Sequence, residues 1–167
     1  MKRWLLPCGI GCLVLCFVLA LVAALVFAQL TRIIPGKPLP MGQWAFTVGQ
    51  PEERASIGTG LLEKRAQGVF LIVPLTVSNE GQQAADIARL DLILVDKARN
   101  EYATSPEGQG ALVIAEGVTF PGFHRMQLGM ELTIKVVFDI PKERKEGPWR
   151  LRIKEFPGRL VTEIGVP

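Results

Sequence analysis

Residues 68–79 read GVFLIVPLTVSN. Successive side chains of an extended chain point to opposite sides, so Val69, Leu71, Val73, Leu75 and Val77 share one face. The other face begins apolar, with Phe70 and Ile72, and ends polar, with Thr76 and Ser78. Alternation rich in β-branched residues predicts a strand, buried on one face along its length and on both faces at its start. Pro74 has no N–H to give to a ladder, which predicts a bulge or an edge position. Asn79-Glu80-Gly81 then ends the strand in a turn.

The same period recurs on both sides of this stretch. Trp44, Phe46 and Val48 alternate with small or polar residues. Leu90, Leu92 and Leu94 alternate with Asp91, Ile93 and Val95. Leu132, Ile134, Val136 and Phe138 alternate with Thr133, Lys135, Val137 and Asp139, and Pro141 closes that run. Trp149, Leu151 and Ile153 alternate with Arg150, Arg152 and Lys154, and a short run over 159–164 follows Pro157-Gly158. No segment after residue 40 shows a convincing helical period. Six or seven half-buried strands with turns between them predict an all-β, antiparallel β-sandwich over residues 41–167.

Upstream the pattern changes. Trp4–Leu30 is a run of 27 residues without a charge, where about 20 suffice to span a bilayer. The apolar core of a cleaved signal peptide is shorter, about 7–15 residues, and no good lipidation motif precedes Cys8, Cys12 or Cys16. Residues 1–30 therefore predict one N-terminal transmembrane helix, with the lipid bilayer as the partner of residues 4–30. Lys2 and Arg3 precede the run, while only Arg32 and Lys37 follow closely. The more positive flank stays in the cytoplasm, so the expected location is a cell membrane, single-pass, N-terminus inside and domain outside. Cys12, Cys16, Ala20 and Ala24 belong to a row of small residues at every fourth position, which suits close packing against a second helix. Residues 31–40, with Pro35, Pro38 and Pro40, read as a semi-rigid spacer.

Charge excludes some partners. Residues 31–167 hold 17 of the 19 Lys and Arg and all 16 acids, a net of +1, which is no nucleic-acid signature. All three cysteines lie in the apolar run, so the outer domain has no thiol nucleophile, disulfide or cysteine metal site. His124 is the single histidine and reads as a surface turn residue. Ser56, Ser78 and Ser105 lie in no nucleophile-elbow context. Asp86, Asp91 and Asp96 recur every five residues, an odd spacing that alternates faces, and they read as solvated or turn-forming. Gly58-Thr59-Gly60 lacks the residues that complete a phosphate loop. The expectation is no enzyme, no cofactor and no metal.

Three pieces, Val73–Gly81 (VPLTVSNEG), Leu94–Tyr102 (LVDKARNEY) and Leu132–Pro141 (LTIKVVFDIP), resemble the extracytoplasmic immunoglobulin-like domain of unknown function of many bacterial membrane-anchored proteins. The mycobacterial immunoprotective extracellular proteins share that sandwich. The resemblance implies an immunoglobulin-like fold over roughly 43–155 and a cell-envelope setting, with no catalytic residues to carry over. Asn100 stands where the family usually has Gly, and Asn tolerates the left-handed conformation expected there. Leu128-Gly129 stands where Pro-Gly is usual, and Gly129 keeps the turn.

These readings converge on a non-catalytic, membrane-tethered binding module. The alternative is a structural subunit that assembles through its transmembrane helix. Two surfaces are candidates for a partner. Residues 103–128 form a long, Gly-rich segment in which Ala111–Ala115 reads as an extra strand or as a cover for Phe70 and Ile72, while Val118, Phe120 and Phe123 line a groove. Arg150, Arg152 and Lys154 alternate with core residues, so they form an outward row suited to an anionic envelope partner.

Overall fold

The computed structural model of the chain describes residues 38–119, 124–144, 147–156 and 161–167. The expected span, Trp4–Leu30, and the small-residue row on it lie outside these residues. Among the described residues no helix is long and apolar enough to cross a membrane.

In chain order the strands are β1 Leu39–Met41, β2 Trp44–Val48, β3 Glu52–Ile57, β4 Lys64–Asn79, β5 Ala85–Asp86, β6 Leu90–Val95, β7 Glu101–Ala103, β8 Arg125–Met126, β9 Glu131–Ile140, β10 Arg150–Glu155 and β11 Val161–Gly165. One helix, α1, covers Pro106–Glu116. β4 organises the first sheet. It pairs with β9 along one side and with β2 and then β3 along the other, and β1 extends β2. The second sheet has the order β11-β10-β6-β7, and β5 pairs with β8 in a small third sheet.

The two large sheets share one core. Trp44, Phe46, Leu71, Val73, Leu75 and Val77 from the first pack with Leu92, Leu94, Leu151, Ile153 and Ile164 from the second. These are the faces that the alternation selects, and burying each such side chain is worth about 1.5–3 kcal/mol. The chain is thus a β-sandwich.

Pro74 sits neither in a bulge nor on an edge. β4 is a central strand, and Pro74 lies where its partner changes from β2, which ends opposite Leu75, to β3, which starts opposite Ile72. The Pro74 carbonyl accepts from the Gly49 N–H at 2.8 Å. Its missing donor therefore falls on the side where the chain passes from one strand to the next, and no ladder bond is lost.

The Pro-rich stretch also ends earlier than 31–40 implies. Leu39 and Pro40 belong to β1, with Pro40 opposite Ala45. β1 is the sheet's edge, where a proline costs no interior bond.

The helix α1 corrects the expectation of an all-strand domain, and Ala111–Ala115 lies within it rather than in an extra strand. Ser105 caps it by accepting from the Gly108 N–H, Pro106 opens the first turn, and Gly117 ends it at φ 63°. Its buried face, Ala111 and Leu112, covers Ile57, Phe70, Ile72 and Val137. That cover explains why β4 begins apolar on both faces. Gly108 lies so close to the sheet that a Cβ would meet Val137 Cγ1 at 2.8 Å and Phe70 Cε1 at 3.0 Å.

Gln109 completes the docking. Its side-chain amide accepts from the Val137 N–H at 3.1 Å and donates to the Lys135 carbonyl at 2.9 Å. Ser105 N–H donates to the Val137 carbonyl at 2.7 Å. The outward backbone groups of β9 are thereby closed by a side chain where another strand would otherwise pair.

Candidate functional site

The turn between β6 and β7 is built on Asp96, a carboxylate only 6% exposed. Its Oδ1 accepts from the Asn100 N–H at 2.7 Å, and its Oδ2 accepts from Asn100 Nδ2 at 2.6 Å and Tyr102 Oη at 3.1 Å. Burial pushes this carboxyl upward, and the bonds from Asn100, Tyr102 and the Ala98 backbone together outweigh burial, leaving its pKa below the ordinary value. Tyr102 returns against the sheet and stacks edge-on with Trp149, ring centres 5.8 Å apart. The left-handed residue of the turn is Arg99, at φ 67°, and not Asn100. Asn100 is therefore retained by its bonds to Asp96 rather than by conformational tolerance.

This turn holds Lys97 and Arg99 on one wall of a cleft of about 320 Å³. Pro148, Arg150 and Arg152 form the opposite wall, with Glu163 beside them. Arg152 donates through Nε to Glu163 at 2.7 Å and through Nη1 to Glu101. Both carboxylates hold its guanidinium above its usual pKa. Arg150 lies 3.8 Å from the second oxygen of Glu163. Lys97 and Arg99 have no ion-pair partner among the described residues. The cleft thus presents four cations. One is saturated, one is loosely paired and two are open to an incoming anion.

Arg150, Arg152 and Lys154 do share the outward face of β10, but not as a bare cationic row. Arg152 is spent on two acids, and Lys154 stands opposite Asp91 and Val161, outside the cleft. The cations missed in the sequence, Lys97 and Arg99, sit in the LVDKARNEY piece. The cue was the capping pair Asp96 and Asn100, which fixes where the two intervening cations stand.

Other candidates disperse. Val118 packs against the cluster beneath α1, while Phe120 and Phe123 lie outside the described residues. Cys12, Cys16, Ala20 and Ala24 lie outside them too. His124 is half-buried rather than a free surface residue, and its carbonyl accepts from the Ile87 N–H. Asp86 and Asp91 are exposed and Asp96 is buried in its turn. Ser105 is a helix cap. Among the described residues no three His, Cys, Asp or Glu side chains gather as a metal site would require. A second groove, of about 540 Å³, lies between the β3–β4 hairpin and α1. Glu116 in its wall bridges Lys135 at 2.7 Å and Arg54 at 2.5 Å, and these two cations depress its pKa.

Asn79, Gly81 and Gly129 build a tight corner at the other end of β4. Asn79 is fully buried, and its side chain accepts from the Gly81 N–H and donates to the Gln83 and Met126 carbonyls. A Cβ on Gly81 would meet Gln43 Cβ at 2.7 Å, and Gly129 adopts φ 70°. With the sandwich, the capped turn and this corner in place, the family model for the domain of unknown function DUF4352 matches residues 34–158. The chain belongs to the DUF4352 family. Solved structures similar to this DUF4352 domain include a conserved hypothetical protein from Bacillus anthracis (TM-score 0.62, 18% identity, 79% of this chain and 93% of that one). The yjhA protein from Bacillus subtilis has a TM-score of 0.54 at 16% identity, covering 80% and 98% of the two chains. An uncharacterised β-sandwich protein from Clostridium difficile 630 has a TM-score of 0.54 at 14% identity, covering 81% and 93%. At these identities the likeness shows the fold alone. No curated protein matches the chain.

Proposed function

We propose that this DUF4352 protein is a non-catalytic binding module of the cell envelope, an immunoglobulin-like sandwich tethered outside the membrane by residues 4–30. The kinship with the mycobacterial immunoprotective extracellular proteins belongs to the same proposal. The observation that carries the reading is the cleft. A buried carboxylate uses both its oxygens to hold a turn, and the turn carries two cations in the same cleft as Arg150 that have no ion-pair partner among the described residues. The preformed turn places both cations beside Arg150 without ordering the backbone at binding, so that the charge on this face is complementary to an anionic partner.

Capture from envelope extracts by the full chain tests it. Lys97→Glu with Arg150→Glu should abolish capture of the anionic partner, and Lys154→Glu, outside the cleft, should leave it unchanged. Equal capture by all three proteins would refute the cleft as the contact. If capture instead depends on Cys16 and Ala20 and is indifferent to Lys97, the chain is a subunit assembled through its helix.

A further inference from the structure

The charges of the cleft narrow the anion it can take. Lys97, Arg99, Arg150 and Arg152 line it against two acids, Asp96 and Glu163, so the described lining has a net charge of +2. Both oxygens of Asp96 are engaged by Asn100 and Tyr102. Arg152 is held by Glu163 and Glu101. Three cations remain for a ligand. Lys97 and Arg99 have no ion-pair partner among the described residues, and the pair from Arg150 to Glu163 is stretched to 3.8 Å.

These three cations come from two separate segments. Arg150 stands on β10 opposite Val95, the last residue of β6. Lys97 and Arg99 follow Val95 in the turn, beyond the end of that strand. A carboxylate has two oxygens in one plane, and a single guanidinium can occupy both. It would answer Arg150 or the turn, but not both. A phosphate monoester has three strong acceptor oxygens set around phosphorus and a charge of about −1.5 to −2 at pH 7. It has an oxygen for each of the three cations, and its charge balances the net charge of the lining.

Glu163 adds a second requirement. Its Oε1 accepts from Arg152, whereas no hydrogen bond among the described residues reaches its Oε2. A carboxylate oxygen can only accept, so beside a bound phosphate it calls for a hydroxyl on the ligand. Val95 and Pro148 give the cleft an uncharged part that suits the carbons of an alcohol. At about 320 Å³ the cleft is at the small end of ligand pockets, with room for a phosphate and a few carbons.

We infer that the cleft binds a phosphate monoester of a hydroxyl-bearing alcohol, such as a polyol or sugar phosphate. Lys97, Arg99 and Arg150 take the phosphate oxygens, and Glu163 Oε2 accepts from a ligand hydroxyl. The inference rests on reading the cleft as the contact for an anionic partner, and it gives that anion its chemical class.

Calorimetric titration of the full chain in dodecyl maltoside tests it, with glycerol 3-phosphate as the probe. The probe should bind at least ten-fold more tightly than glycerate, which carries a carboxylate instead, or glycerophosphoglycerol, its diester. Ethyl phosphate, which has no hydroxyl, should bind several-fold more weakly. Arg150→Gln, or Lys97→Ser with Arg99→Gly, should each weaken binding ten-fold or more, and Lys154→Gln should leave it unchanged. Glycine suits the φ of 67° at position 99, so the turn survives the double substitution. No binding of the probe, or equal binding of glycerate or the diester, overturns the inference. Equal binding of ethyl phosphate overturns the part given to Glu163. Glycerol 3-phosphate should also displace the partner captured from envelope extracts, and phosphatase treatment of the extract should abolish capture. Competing activity in the ultrafiltrate would identify a free ester, and in the retentate the terminal phosphate of a polymer. Capture that depends on Lys97 and Arg150 but survives phosphatase keeps the cleft as the contact and overturns the phosphate. Capture and titration both indifferent to Lys97 and Arg150 overturn the two readings together.

Discussion

Replacing Gln109 with Ala tests how α1 is held on the sheet. The substitution removes two hydrogen bonds and leaves the Val137 N–H and the Lys135 carbonyl facing a methyl group. A buried group left without a partner costs about 1–3 kcal/mol. Val137 is fully buried and bears the full cost, while Lys135 is half-buried and water relieves part of it. The sum is about 3 kcal/mol, or a fall in Tm of about 9–15 °C for a domain of this length. Urea denaturation and thermal melts followed by far-UV circular dichroism read both quantities. Gln109→Glu sharpens the test. Its carboxylate still accepts from Val137 N–H but opposes the Lys135 carbonyl, so its folded pKa is raised. The variant should be destabilised at neutral pH and regain stability as pH falls through that pKa, when the protonated acid donates again. A loss below about 0.5 kcal/mol for Gln109→Ala would be in the range of an ordinary surface substitution and would refute the edge-sealing role.

Asp96 has a depressed folded pKa, so its contribution is complete above the unfolded value and should be lost as pH drops below about 4. Asp96→Ala should make the acid limb shallower in pH-resolved melts, leaving the part due to Glu116 and Glu52, and weaken partner binding, because Lys97 and Arg99 lose their fixed turn; an unchanged acid limb would argue against it. Protease added to intact spheroplasts should degrade residues 31–167, and full protection there would reverse the topology. Cys16→Leu and Ala20→Leu should weaken self-association in a membrane two-hybrid assay, and no change with either would make the small-residue row coincidental.

The long strands were legible because each buries one face, which writes a period of two into β2, β4, β6, β9 and β10. β3 was not, since Glu52, Glu53 and Arg54 lie on an exposed edge where nothing selects apolar residues. β1 was hidden by Pro40, which an edge strand tolerates. The helix escaped for a different reason. Gly108 and Gly110 are poor helix formers and α1 has little amphipathic contrast, yet Ser105-Pro106-Glu107 at its start and Gly117 at its end are local signals that state its limits. At the site, periodicity found Arg150 and Arg152 because they sit on a strand. It said nothing of Glu101 and Glu163, which come from β7 and β11 and decide that Arg152 is paired while Lys97 and Arg99 are open. Such pairings depend on which strands become neighbours, and alternation within one strand carries no trace of that.

Site-specific photo-crosslinking in intact cells tests the central claim most directly. A photoreactive residue is placed at Lys97 in the cleft or at Lys154 on the same sheet but outside it. The account predicts adducts with an anionic envelope component from position 97 and few or none from position 154. Equal yields from the two positions, or adducts from 154 alone, would contradict it.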